Sequence, residues 1–309
     1  MDIRQLSALI AVADHGSFSA AARALHTVQS NISTHVARLE RELGVILVDR
    51  GASGMTEEGA LVVSRARRVL GELDALEADV LSMRDEVAGS SRLGVIGTTA
   101  RWLLPPLLDA LEEAYPKVRL LVVDATTTSL VPQVLSGELE SAVVNLPTRE
   151  PDLVEELLFV EEHMVVAPLD HPLAEFDEVE LSDIVEHKLV LATQGTTFRD
   201  ELDAEAARLG LELRPKAEID GMRLVASLAF QGYGAAVLPS SAAPGWLDPG
   251  GHWKRIAMRG LTGRSVGLVR RRRGLPSAPS RVVMEVLALV IARDGADVPG
   301  VHPVNKAGK

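Results

Sequence analysis

Three turns of this 309-residue chain place hydroxyls where an apolar, strand-like run hands over to a helical one. Thr98 and Thr99, followed by Arg101, come after RLGVIG; Thr126, Thr127 and Thr128 come after VRLLVVDA; Gln194, Gly195, Thr196 and Thr197 come after KLVLA. Hydroxyls and unpaired backbone N–H groups at a helix start suit an anion or a polar ligand. The plainer role for such Thr residues is N-capping. Three turns of one kind, brought to one cleft, favour binding. Thr98, Thr99, Thr127, Thr128, Gln194, Thr196 and Thr197 are therefore candidate ligand contacts, with Asn145 at the end of the strand-like SAVVNL. A small organic ligand bearing a carboxylate would want a cation, and Arg101, Arg149 and Arg199 are placed to supply one. A further polar set, Gln29, Ser30, Asn31, Ser33, Thr34 and His35, lies at the start and on the flanks of a helical run whose Ile32, Val36, Leu39 and Leu43 share one face.

Other chemistries lack their residues. With no Cys, disulfides, thiolate nucleophiles and thiol redox switching are excluded. There is no Walker-type phosphate loop and no G-x-S-x-G elbow. His163 and His171 are separated by an apolar strand, and His171 precedes Pro172, so they do not form a metal-ligand pair. No catalytic residue, metal ligand or cofactor site is assigned. Aromatics are 3% of the chain, too few for stacking on single-stranded nucleic acid as a main activity. The net charge of −11 argues against binding nucleic acid through bulk charge. MDIRQLSALIAVADHG lacks the apolar core of a signal peptide, and no run approaches the ~18–20 apolar residues of a membrane span. The expectation is a soluble cytoplasmic chain with no membrane partner.

The elements that must carry these residues are legible. Ile3, Leu6, Leu9, Ile10 and Ala13 recur at helical spacing up to Gly16. Ser17 caps a short Ala-rich helix, and Thr27 stands where a third cap is needed. VILVDR and GASG then read as a small hairpin, completing the layout of a winged helix-turn-helix. From Thr56 a long helix runs to about Val87. Its Val62, Ala66, Val69, Leu73, Leu76, Val80, Met83 and Val87 step by four and three, a heptad seam that argues for pairing with a second copy rather than burial of one helix. Gly89-Ser90-Ser91 reads as a hinge. Beyond it strands alternate with helices, predicting parallel sheets in two α/β lobes. The run Arg270–Arg273 reads as a solvated sheet edge.

The segment SFSAAARALHTVQSNISTHVARLERELGVILVDR, with TEEG after it, resembles the DNA-binding domain of LysR-type transcriptional regulators. RWLLPPLLDALEEAYPKVRL, LSGELESAVV, VAPLDHPLA and GYGAAVLP resemble that family's effector domain, in the family's order. The resemblance implies a winged helix-turn-helix over 1–58, a dimerising linker helix over 59–89, and a two-lobed α/β effector domain over 90–294 that resembles a periplasmic binding protein. Lobe one spans about 90–162 and 266–294, lobe two about 163–265, and 295–309 is a flexible tail. It also implies sequence-specific binding of double-stranded promoter DNA, a small-molecule effector between the lobes, a homodimer through the linker, a homotetramer of dimers, and contact with RNA polymerase if the protein activates. An enzyme of two-lobed build, a solute-binding protein and an effector-independent DNA binder are the other readings; the missing catalytic motifs and the N-terminal 90 residues disfavour the first two, and ligand-dependent stabilisation would exclude the third.

In the family's pattern the recognition stretch is Thr27 to Arg38. Gln29 can bond adenine bidentately; Ser30, Asn31 and Ser33 can reach base edges or phosphates. Thr34 and His35 lie one turn further round, Arg38 can reach a phosphate, and Arg50 opens the wing. The sequence departs from the family in having Thr34 where a basic residue is usual and Ser30 where Pro is usual. Residues 1–58 hold five Arg (Arg4, Arg23, Arg38, Arg41, Arg50), no Lys and seven acids, a net charge of −2. Few cationic contacts predict a shallow salt dependence per head, with backbone N–H groups and multiple heads supplying the rest.

Overall fold

The fold comes from a computed structural model, which describes residues 1–49, 54–82, 87–243 and 251–304. The chain divides into two compact units, the first holding residues 1–85 and the second nearly all that follows.

In the first unit Asp2 caps α1 (Ile3–His15) in a capping box: Asp2 Oδ1 accepts from the Gln5 N–H at 2.9 Å, and Gln5 Oε1 from the Asp2 N–H at 2.8 Å. Gly16, left-handed at φ +69°, ends the helix. Ser17 caps α2 (Phe18–Ala24) through the Ala20 N–H. Thr27 does not cap α3 (Gln29–Leu43), contrary to expectation. Val28 holds the cap position without a side-chain bond, and Thr27 Oγ1 accepts from Asn31 Nδ2 at 3.0 Å instead. Ile32, Val36 and Leu39 pack on Leu6, Leu9, Val12, Ala21 and Leu47 in one core. Leu43, one turn beyond that core, is exposed.

A two-stranded wing follows, β1 (Val48–Asp49) antiparallel to β2 (Gly54–Met55). Glu40 ties it to α3, its Oε1 accepting from the Leu47 and Val48 N–H groups. Thr56 caps α4 (Glu57–Ser82) through the Gly59 N–H at 2.9 Å. Gly59 is obligatory there, since a Cβ would lie 2.0 Å from the Leu47 carbonyl oxygen. The seam of α4 changes character along its length. Val62 and Ala66 join the head core, whereas Val69, Leu73, Leu76 and Val80 are 39–64% exposed. Met83 lies outside the described residues, and Val87 lies beyond the helix.

The second unit opens with β3 (Gly89–Ile96), α5 (Gly97–Ala114), β4 (Val118–Ala125), α6 (Thr127–Ser136), β5 (Ser141–Leu146) and β6 (Leu153–Glu161). The expected hinge at Gly89–Ser91 is instead the start of β3, hydrogen-bonded alongside β4, with Ser91 fully buried. The chain then builds the other lobe: β7 (His163–Pro168), β8 (Glu178–Val179), α7 (Leu181–Ile184), β9 (Lys188–Ala192), α8 (Thr197–Arg208), β10 (Arg214–Ile219), α9 (Met222–Phe230), β11 (Ala236–Pro239) and β12 (Trp253–Met258). It returns through β13 (Arg264–Arg271), α10 (Ala278–Asp294) and β14 (Val301–Pro303).

The first lobe's sheet has the order β14-β6-β13-β5-β3-β4, and the second's β11-β7-β12-β8, with the parallel pair β10-β9 joined through a bridge from Leu189 to Ala235. These sheets are mixed, not parallel throughout. β13 comes back from the second lobe and enters antiparallel to both β5 and β6. Two further expectations fall with it. The Arg270–Arg273 run does not edge a sheet: β13 is an interior strand, and Arg271 and Arg272 donate to main-chain carbonyls of Val134, Leu139, Pro151 and Leu153. Residues 295–304 are not a loose tail. Gly295–Asp297 forms a 3₁₀ turn and β14 pairs with β6, while 305–309 lie outside the described residues. Among the described residues, no helix is long and apolar enough to cross a membrane.

Candidate functional site

The two lobes enclose a cavity of about 230 Å³. Six of the eight candidate ligand contacts line it: Thr98, Thr127, Thr128, Asn145, Thr196 and Thr197. They converge because the parallel strands β3 and β4 in one lobe, and β9 in the other, deliver the starts of α5, α6 and α8 to one crevice. α5 and α8 carry no side-chain cap bond, so their first N–H groups remain for a ligand. Gln194 does not line the cavity. Neither does Thr99, which is fully buried in the interior of the first lobe, its hydroxyl without a partner among the described residues.

The cations are not those expected. Arg199 is 3% exposed and committed to Asp203, to Glu218 at 2.7 Å and to the Ala192 carbonyl at 2.8 Å. Arg101 donates to the Ala242 carbonyl, and burial, with the Arg223 charge nearby, pushes its pKa down. Arg149 is exposed and does not line the cavity. Instead Arg264 and Arg223 do, together with Asp124. Arg264 was hidden because it opens β13 and is counted in sequence with the other lobe. It is buried, donates to Glu161 Oε2 at 2.7 Å and to Thr98 Oγ1 at 2.9 Å, and reaches Asn145 Oδ1 at 3.3 Å. Thr127 Oγ1 accepts from the Asn145 N–H at 3.1 Å. Thr98, Thr127, Asn145 and Arg264 thus form one hydrogen-bonded floor. At the rim Arg223, on α9, pairs with Asp124, at the end of β4.

Behind Arg264, His163 stands at the start of β7. Burial, helped by the Arg264 charge, pushes its pKa down to about 4, so the ring is neutral at pH 7. Among the described residues, no group of three or more His, Asp or Glu could hold a metal.

In the head, Gln29, Ser30, Asn31, Thr34 and Arg38 are exposed on α3, and Thr27, Ser33 and His35 are half-buried. Ser30, Thr34 and Arg38 follow one another at i, i+4, so they share one face. The Thr34 hydroxyl donates to the Ser30 carbonyl at 2.7 Å. Gln29 and Ser33 share the adjoining face, in a crevice with Ser17, Ser19 and the wing strands. Nδ1 of His35 is buried without a partner among the described residues, so that nitrogen does not face the surface. Arg50 lies outside the described residues.

A helix-turn-helix head with a wing, followed by a long apolar-seamed helix and a two-lobed α/β domain with a central crevice, is the architecture of a DNA-binding regulator that carries an effector-binding domain. Residues 3–60 match the "Bacterial regulatory helix-turn-helix protein, lysR family" and residues 84–290 the "LysR substrate binding domain". The chain belongs to the LysR family, whose members are transcription regulators and not enzymes. It is similar to the DNA-binding transcriptional dual regulator OxyR of Escherichia coli K12, 29% identical over 293 residues, which are 94% of this chain and 95% of that one. It is 33% identical over 245 residues to a probable hydrogen peroxide-inducible genes activator of Streptomyces viridosporus, covering 78% of each. A full-length, singly substituted OxyR from Pseudomonas aeruginosa superposes with a TM-score of 0.75 at 25% identity, covering 100% of this chain and 99% of that one.

Proposed function

We propose that this LysR-family DNA-binding regulator recognises specific promoter sequences through α3 and is switched by a small organic effector, a carboxylate, held between its two lobes. The observation that carries the effector reading is the convergence of α5, α6 and α8 on one cavity, with two of those helix starts uncapped. The exposed residues Val69, Leu73, Leu76 and Val80 on α4 support a homodimer formed by pairing of that helix, and the likeness to the LysR family implies that such dimers join into a homotetramer. RNA polymerase is a partner if the protein activates. No cofactor is required, and the reading places the protein in the cytoplasm. It also separates this chain from the activity in its Streptomyces relative's name: with no cysteine, a peroxide signal has no thiol to oxidise, and the switch runs on binding.

Fluorescence anisotropy with duplex DNA from immediately upstream of the protein's own gene tests the DNA half. Binding that survives excess unrelated competitor supports the reading. Binding abolished by competitor overturns it.

A further inference from the structure

The rim of the cavity carries a charge pair whose geometry says more about the ligand than the floor does. Arg223 lies in the first turn of α9 in the second lobe and Asp124 stands next to the end of β4 in the first, so their ion pair spans the cleft. Both line the cavity, and their side chains are 58% and 32% exposed. Gly97, the first residue of α5, lies directly beneath. A Cβ there would fall 2.5 Å from Arg223 Cδ, 2.7 Å from Arg223 Cγ and 2.8 Å from Asp124 Oδ1. The Arg223 stem is thus laid across an uncapped helix start because that residue has no side chain. The floor, by contrast, has no charge to spend: Arg264 is neutralised by the fully buried Glu161 and bonded to Thr98 and Asn145.

We propose that Arg223 is the anion subsite of the cleft and that Asp124 is its internal occupant, a carboxylate of the protein standing where the carboxylate of the effector binds. The inference rests on the effector reading above and narrows it to anionic ligands that compete with Asp124. Exchange of one carboxylate for the other leaves Arg223 paired. It releases Asp124 from its link across the cleft, so binding changes the restraint between the lobes. A neutral isostere cannot make the exchange, since it would strand the guanidinium without a counter-charge.

The test uses the full chain and two matched probe pairs, benzoate against benzamide and acetate against acetamide, at constant ionic strength. Thermal stabilisation is followed in the wild type and in Asp124→Asn, Arg223→Gln and Gly97→Ala. The wild type is stabilised by the carboxylate of a pair more than by its amide. Asp124→Asn, with the competitor neutralised, half-saturates at about two- to five-fold lower carboxylate concentration, the scale set by a solvent-exposed ion pair. Arg223→Gln loses the discrimination, and Gly97→Ala weakens it without any change of charge. The proposal is overturned if no carboxylate outperforms its amide in wild type or Asp124→Asn, or if Arg223→Gln discriminates as well as wild type. Binding of the upstream duplex by the same variants, read by anisotropy, keeps the two failures apart. With DNA binding normal, equal stabilisation by carboxylate and amide rejects this subsite alone, and no stabilisation by any of the probes rejects the effector reading with it.

Discussion

Arg264 and Glu161 form a buried ion pair in which both guanidinium Nε and Nη2 address one carboxylate oxygen, at 2.7 and 2.6 Å, and neither side chain is more than 3% exposed. The other oxygen accepts from the Ser241 N–H at 2.6 Å. Ser241 follows β11, so Glu161 is bonded both to the first lobe's returning strand and to the second lobe. Removing one member leaves the other charged and unpaired out of water. Arg264→Met is expected to cost about 3–5 kcal/mol in urea unfolding, and Arg264→Met with Glu161→Leu less than either single change. Additive losses in the double variant would refute the coupling.

His163 makes stability depend on pH. Its pKa falls from the ordinary 6.5 to about 4 on folding, because burial disfavours the charged ring. Below pH 6.5 the unfolded chain takes up a proton that the folded chain refuses until about pH 4. Stability therefore falls as pH drops through that window, by about 1.4 kcal/mol per unit from this residue. Between about pH 7 and pH 5, wild type should lose about 2 kcal/mol more than His163→Gln, measured by urea unfolding at each pH. Equal losses would show that the ring is not held neutral.

Thr98 and Thr99 are neighbours with opposite expectations. Thr98 accepts a hydrogen bond from Arg264, whereas the buried Thr99 hydroxyl has no partner among the described residues. Thr99→Val removes an unpaired polar group at nearly constant volume. It should leave stability within about 1 kcal/mol of wild type, or raise it, and leave carboxylate binding unchanged. Thr98→Val, stranding an Arg264 N–H, should cost about 1–3 kcal/mol by the same measurement.

Gln29 and Ser33 are expected to read bases. Gln29→Ala and Ser33→Ala should each weaken binding to the upstream duplex by about 1–3 kcal/mol while barely changing affinity for random DNA. Equal losses on the two duplexes would assign these residues to phosphate contact.

Leu73 and Leu76, 39% and 64% exposed in one chain, should face a partner helix. Leu73→Glu with Leu76→Glu is expected to lower the sedimenting mass to that of a smaller assembly. The head core, which takes Val62, Val63 and Ala66 from the N-terminal part of α4, should remain folded. An unchanged mass would remove the helix-pairing reading.

Local patterns were enough to determine the head, the long helix α4 and most of the cavity lining. Capping by Ser17, the helical spacing of Ile32, Val36 and Leu39, and Thr residues after strand-like runs depend on nearest neighbours and periodicity, which a linear string retains. The same short-range reading misplaced Thr27, because choosing between two adjacent cap positions turns on backbone angles that spacing does not encode. What only the tertiary structure decided depends on long-range pairing. Arg264 reaches the floor because β13 returns from the second lobe to lie between β5 and β6, bringing it to Glu161, 103 residues away. Arg223 meets Asp124 across 99 residues for the same reason, since strand pairing and lobe closure set which distant charges become neighbours. Arg199, suited by position to hold a ligand, is withdrawn by Asp203 and Glu218. Residues 301–303 join a sheet by pairing with β6, which lies about 140 residues earlier, and no local feature of VHP announces that pairing.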